Sequence, residues 1–281
     1  MRSFVMRFPD GKPKAMTFSY DDGIVEDLRL AELMRKYGVK CTFNINTMFY
    51  ENGEEPDNRL KLSQIKEFAN DPLFEIACHG HIHPFYTYMP QVSVSDDIMK
   101  NRKQLEQITG KITRGFAYPS ISEFSDSSEI ALTSAGVVYA RLAGNFKNFE
   151  LPENWLRWHP TCHHKLANEV YTEFCDINRP LRHSTIMYVW GHSFEFEREN
   201  NWEIIEELLE RCHNNPDIWF ATNIEIYNYA NAFKSLIYSA NGDKVYNPTS
   251  IDLWGSCDAN KKPNSGKIIK IPAGETVSLL L

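Results

Sequence analysis

The sequence predicts an α/β protein built on parallel strands, followed by a small antiparallel β region. Three observations carry this. Short β-rich runs alternate with helix-period segments over some 220 residues, which favours parallel strands joined by right-handed crossovers, closed into a barrel or left as an open sheet. Several helical segments carry their own end signals. From about Lys234 onward the helix period disappears and only short alternating runs remain.

Taken in order, "AMTFSY" (residues 15–20) reads as the first strand, and "VEDLRLAELMRKYG" follows with helical spacing and Gly38 as its C-terminal cap. "VKCTFNIN" is β-rich, "KLSQIKEFAN" is a short helix, and "FEIAC" is a short buried strand. "SDDIMKNRKQLEQITG" places Asp96 and Asp97 in a first helical turn and Gly110 at the end. "TRGFAYP", "VVYARLA", "TIMYVWG" and "DIWFAT" are further strands, separated by helices in "DSSEIALTSAG", around 166–176, and in "NWEIIEELLERCHNN". Asn200 and Glu203 have the spacing of a capping box for the last of these. In the tail, Asn241-Gly242 between alternating runs signals a type I′ hairpin, and "SIDLWG", "KIIKIP" and "TVSLLL" continue as strands. The expected organisation is a main domain over 1–233 and a β-rich extension over 234–281 packed on it, since so short a segment makes a poor core alone.

Composition narrows the class. Thirty basic against 37 acidic residues give a net charge of −7 with no basic run, which argues against nucleic acid or an anionic membrane as partner. No apolar run has the length of a transmembrane span, and the first residues lack a signal-peptide pattern, so a cytoplasmic location is expected. The cysteines at 41, 78, 162, 175, 212 and 257 form no CxxC and read as reduced structural thiols.

The chemistry gathers at the ends of the strands, where parallel α/β folds bind ligands. The first strand ends in "YDDG", the third in "HGHIH", the fourth in "FAYPS" and a later one in "WGHSFEFE". Asp21 and Asp22 face one ligand only if the chain turns there, which Gly23 permits; one carboxylate can then bind a metal while the other takes a proton from water. If "HGHIH" leaves the strand as a turn, residues four apart converge, so His79 and His83 form a pair and His81 turns away. Two histidines and an aspartate suit a catalytic divalent ion, zinc by default, with cobalt, manganese or nickel as alternatives. His159, His163, His164, His183 and His213 read as ordinary core or surface residues.

"FSYDDG", "HGHIH", "FAYP" and "WGH", in this order, resemble the motifs of polysaccharide deacetylases with the NodB homology domain, carbohydrate esterase family four, over roughly residues 14–230. The resemblance implies a distorted (β/α) barrel with fewer than eight strands. It implies Asp21 as catalytic base, Asp22, His79 and His83 as metal ligands, and His192 as the acid that protonates the leaving group. The backbone N–H of Ser120 is a candidate oxyanion donor, and Tyr118, Trp190, Phe194 and Phe196 are candidate apolar walls. The chain departs from the pattern at Phe116, where the family has an arginine beside its base; Arg141 and Arg157 are the substitutes on offer. Ser120 stands where an aromatic is usual, and "WLRWHPTCHH" only loosely replaces a further acidic motif.

The activity expected from this set is metal-dependent removal of acetyl groups from N- or O-acetylated carbohydrate, a hydrolase acting on non-peptide C–N bonds. A second reading keeps fold and metal but takes a small amide or ureide, as in allantoinase-like relatives. A third is a non-catalytic, metal-stabilised carbohydrate-binding protein. The sequence is silent on oligomeric state.

Overall fold

The computed structural model describes residues 3–120, 126–177, 184–258 and 266–279; His183 and residues 121–125 of the "FAYPS" region lie outside them. The elements are β1 (Ser3–Arg7), β2 (Lys14–Asp21), α1 (Asp27–Tyr37), β3 (Cys41–Ile45), α2 (Leu62–Asn70), β4 (Phe74–Cys78), α3 (Gln91–Thr109), β5 (Gly115–Ala117), α4 (Asp126–Ser134) and β6 (Tyr139–Arg141). Then come β7 (Cys162–His163), α5 (Ala167–Asp176), β8 (Thr185–Gly191), α6 (Phe194–Glu199), α7 (Glu203–Cys212), β9 (Ile218–Phe220) and α8 (Asn223–Lys234). The tail adds β10 (Ile237–Tyr238), β11 (Lys244–Tyr246), β12 (Leu253–Asp258), β13 (Lys267–Ile271) and β14 (Thr276–Ser278).

Seven parallel strands run β6-β5-β4-β3-β2-β8-β7 in one curled sheet, and β9 lies on the flank of β2. β2 is the axis. One edge pairs with β8 from Lys14 to Tyr20; the other pairs with β9 at Lys14–Met16 and with β3 at Ser19–Asp21. The far edges of the curl meet through the segment after β6: Trp158 N–H donates to the Ala140 carbonyl, and Thr161 N–H to that of Tyr188. This is the distorted barrel that the sequence leads one to expect. Among the described residues no helix is long and apolar enough to cross a membrane.

The two-residue period of β2 decides what faces inward. Met16, Phe18 and Tyr20 join the large core under the helices, with Leu30, Met34, Phe43, Ile65 and Leu208. Ala15, Thr17, Ser19 and Asp21 occupy the opposite face, so Asp21 ends a row aimed into the curl. The interior there is polar and internally bonded: Thr17 donates to Asn223 at 2.8 Å, and Asn44 donates to Ser19 at 2.7 Å and to Asp21 at 2.8 Å.

Several local expectations change. Residues 223–234 form α8, which alternation alone did not reveal; Thr222 and Glu225 cap it reciprocally. Asn200 caps no helix start: at φ 49 it closes α6, and Trp202 precedes α7. α3 starts at Gln91, so Asp97 lies beyond its first turn and is buried. The 238–245 hairpin exists, but Gly242 alone of the Asn-Gly pair has positive φ, so the turn is not type I′. The tail forms two three-stranded antiparallel sheets, β10-β11-β14 and β1-β12-β13, so β1 pairs with the tail.

Candidate active site

Asp21 ends β2 on its inward face and is 2% exposed. Arg141, at the end of β6, reaches both of its carboxylate oxygens through one guanidinium nitrogen, and Asn44 donates to one of them. Arg141 is itself fully buried and lies over the Trp190 ring at 4.8 Å. Burial would raise the Asp21 carboxyl, but the charge of Arg141, with His79 and His192, outweighs it and holds the group at about 2. Of the two arginines weighed from the sequence, Arg141 is the one on the carboxylate; Arg157 bonds Asp126 and Glu129 instead.

The chain leaves β2 at Asp22, whose φ is 83, before Gly23 at φ 61. That turn swings Asp22 to the side where β4 ends. Its amide donates to the Asn44 carbonyl at 2.9 Å, and Arg59 donates to its carbonyl at 2.7 Å, which holds the strained residue in place. A carboxylate oxygen of Asp22 then stands 3.7 Å from His79 Nε2 and 3.6 Å from His83 Nε2. The two imidazoles sit edge to face, 4.8 Å between centroids.

The histidine loop is shaped from α3. Asp97 accepts the backbone N–H groups of His81 and Ile82 at 2.9 Å each and the Tyr86 hydroxyl at 2.6 Å. Asn101, one helical turn on, accepts the His79 N–H and donates to the Ile45 carbonyl. Gly80 has φ 75, and a side chain there would meet the Tyr86 hydroxyl at 2.8 Å. His81 points away from the cluster, with Nδ1 against the Thr47 hydroxyl and Nε2 against Glu51, both at 3.0 Å. Both of its nitrogens are spent.

His79 differs. Its Nδ1–H donates to the Ala117 carbonyl at 2.9 Å, so Nε2 carries a lone pair, yet that atom is buried without a partner. Burial lowers the pKa of the ring and keeps it neutral, as a metal ligand must be. An orphaned acceptor is costly, and one facing a carboxylate and a second imidazole fits a divalent cation. The donor atoms of Asp22, His79 and His83 all lie within 4.8 Å of one another.

On the other flank, His192 follows β8. Its Nδ1–H donates to Glu195 at 2.8 Å, and Nε2 faces Asp21 at 3.9 Å. Burial disfavours the charged ring, but Glu195 and Asp21 prevail and raise its pKa. Glu195 is held well below the carboxylate range, against burial, by its bonds to His163 and His192. Ser193 bonds the buried Asp27, whose pKa burial pushes well up. Glu195 was missed in the sequence; its signal is the i, i+3 spacing from His192.

Three of the remaining candidates are packed into the structure. Tyr118 is buried with its hydroxyl on the Leu156 carbonyl, Trp190 donates to the Gly144 carbonyl, and Phe196 is wholly buried against His164. Ser120, at φ 65, lies on a turn past β5.

Residues 9–140 match the family model for polysaccharide deacetylase. In fold the chain is similar to a Mycobacterium smegmatis protein assigned to the polysaccharide deacetylases, with TM-score 0.65, 16% identity, and coverage of 83% of this chain and 96% of that one. It is similar to a family 4 acetyl xylan esterase from Clostridium thermocellum in complex with a cobalt ion, at TM-score 0.52, 17% identity, and coverage of 76% and 90%. It is also similar to a CE4 family pseudoenzyme from Bacillus anthracis, at TM-score 0.50, 17% identity, and coverage of 79% and 68%. No curated protein matches the sequence.

Proposed function

We propose, from the match of residues 9–140 to the polysaccharide deacetylase family model, that the chain is a metal-dependent deacetylase that hydrolyses acetyl groups on carbohydrate. One observation carries this: the partnerless Nε2 of His79, converging with Asp22 and His83 next to an ionised aspartate.

Asp22, His79 and His83 would hold the ion, with zinc or cobalt suited to two imidazoles and a carboxylate. When bound it supplies a polarised acyl carbonyl and a water acidic enough to attack near neutrality. Asp21 takes the water's proton. Its low pKa means that it is ionised at every working pH, and Arg141 fixes the carboxylate in one orientation. His192, whose protonated form Glu195 behind it favours, passes its Nε2 proton to the departing nitrogen or oxygen. Asp21 and His192 face one another across 3.9 Å, so the acceptor and the donor of protons serve the same small space.

Acetate release from a panel of N- and O-acetylated glycans and sugars, with zinc, cobalt or manganese supplied, tests the reading. His79→Ala and His83→Ala should lose the ion and His81→Ala keep it. Turnover of a small amide or ureide with no acetate release would move the assignment to an allantoinase-like hydrolase. The Bacillus anthracis relative shows that the fold also occurs in a CE4 family pseudoenzyme. Retained ion with no hydrolysis of any substrate would place this chain with it.

A further inference from the structure

We propose that His163, His164 and Glu195 form a second divalent-cation site, on the side of His192 away from Asp22, His79 and His83. Among the described residues these are the two groups of histidine and carboxylate donors close enough to share an ion.

His163 ends β7, His164 opens the turn after it, and Glu195 lies in the first turn of α6. His163 Nε2 is 3.3 Å from one oxygen of Glu195, and His164 Nε2 is 3.7 Å from the other. The second distance is too long for a hydrogen bond and too short to be indifferent. His164 is the decisive residue. It is 1% exposed, and neither of its ring nitrogens has a partner. The ring is fixed there: Phe196 stacks on it at 4.1 Å and Tyr20 at 5.9 Å. Gly191 makes room for it, since any side chain at that position would lie 2.1 Å from His164 Nδ1. A buried imidazole with two idle nitrogens is among the more expensive things a core can hold. Here one of them is aimed at a carboxylate through a gap that a cation would bridge.

The donor set matches the borderline-soft divalent ions, zinc and cobalt before calcium or magnesium. Two groups, one neighbour and one ligand, adjust to such an ion. Lys165 Nζ lies 3.2 Å from Glu195 but 2.6 Å from the exposed Glu199, so it has a second partner when Glu195 is taken. His163 Nδ1 accepts a long bond of 3.4 Å from the Lys165 N–H, which places its proton on Nε2; the ion replaces that proton. Glu195 also accepts from His192, so the ion and the imidazole draw on one carboxylate.

Metal content after dialysis of the apoprotein against zinc, and the absorption spectrum after cobalt loading, decide the matter without reference to activity. The intact chain should hold two ions, His79→Ala one, His164→Phe one, and the double variant none. A wild type that holds one ion, with none left in His79→Ala, overturns the proposal. If His164→Phe does not fold, Glu195→Gln in the His79→Ala background replaces it: loss of the remaining ion supports the site, and retention refutes it.

Discussion

Two acidic residues of the same curled sheet have opposite fates. Asp21, at the carboxyl end of β2, meets Arg141 and stays ionised down to about pH 2. Glu75, on β4 near the amino ends of the strands, meets only neutral donors: Tyr139, Thr42 and the Ile224 N–H. It edges a cavity of about 610 Å³ lined also by Arg114, Thr222 and Glu225. Burial wins over those hydrogen bonds and raises Glu75 to about 7. Both carboxyls are well bonded. What separates them is a formal positive charge in direct contact: Arg141 bonds Asp21, whereas the groups that bond Glu75 are all neutral.

The largest effect should come from removing the charge itself. Asp21→Asn preserves size and the Asn44 contact, and acetate release should fall by about 10²–10⁴-fold with the ion still bound by elemental analysis. Undiminished turnover would make Asp21 merely structural. Arg141→Met tests the other half of the pair. It leaves a buried carboxylate uncompensated and should cost about 3–5 kcal/mol in denaturant unfolding. A smaller loss would mean that Asn44 and the histidines suffice.

The third test uses pH and turns on sign. Glu75 has a raised pKa, so its contribution is complete below its ordinary 4.5 and is lost as pH rises towards 7, by at most about 3 kcal/mol. Asp21 has a lowered pKa, so its contribution is present above 3.8 and is lost as pH falls towards 2. Glu75→Gln should flatten the decline between pH 4.5 and 7 and leave the acid limb unchanged. An unaltered decline would assign it elsewhere. The smallest change concerns the rate profile. If His192 is the acid of the proposed reaction, activity should fall as pH rises through its raised pKa, and Glu195→Gln should move that basic limb to lower pH without moving the acid limb.

The sheet was legible because its strands carry clean signals: buried apolar runs, glycine-ended helices, and polar groups at the strand ends. α8 was not, because Ile224, Ile226, Tyr227 and Tyr229 spread apolar surface round the helix and blur its period; the capping pair Thr222 and Glu225 was the readable clue. Asn200 misled because a capping spacing recurs by chance where a left-handed residue closes one helix just before the next begins. Asp22, His79 and His83 could be singled out by residue type and spacing, as could Asp21. Arg141 could be named only as one of two candidates, since its partner lies 120 positions away. His163 and His164 looked ordinary because nothing in a run of letters shows that an imidazole will be buried with its nitrogens idle.

The pairing of β1 with β12 has a consequence for how the chain is made. Arg7 bonds Ser256 across 249 positions, and the strands match from Ser3–Asp258 to Arg7–Trp254. On a ribosome the first strand therefore waits for almost the whole chain, while β2, β3 and β4 can pair as they emerge. At about 5–20 residues per second that wait lasts tens of seconds at the slow end. Throughout it β1 is an unpaired edge, open to a neighbouring chain. Synthesis halted before residue 253 would leave a sheet with its cluster of aspartates and histidines in place and its first strand without a partner.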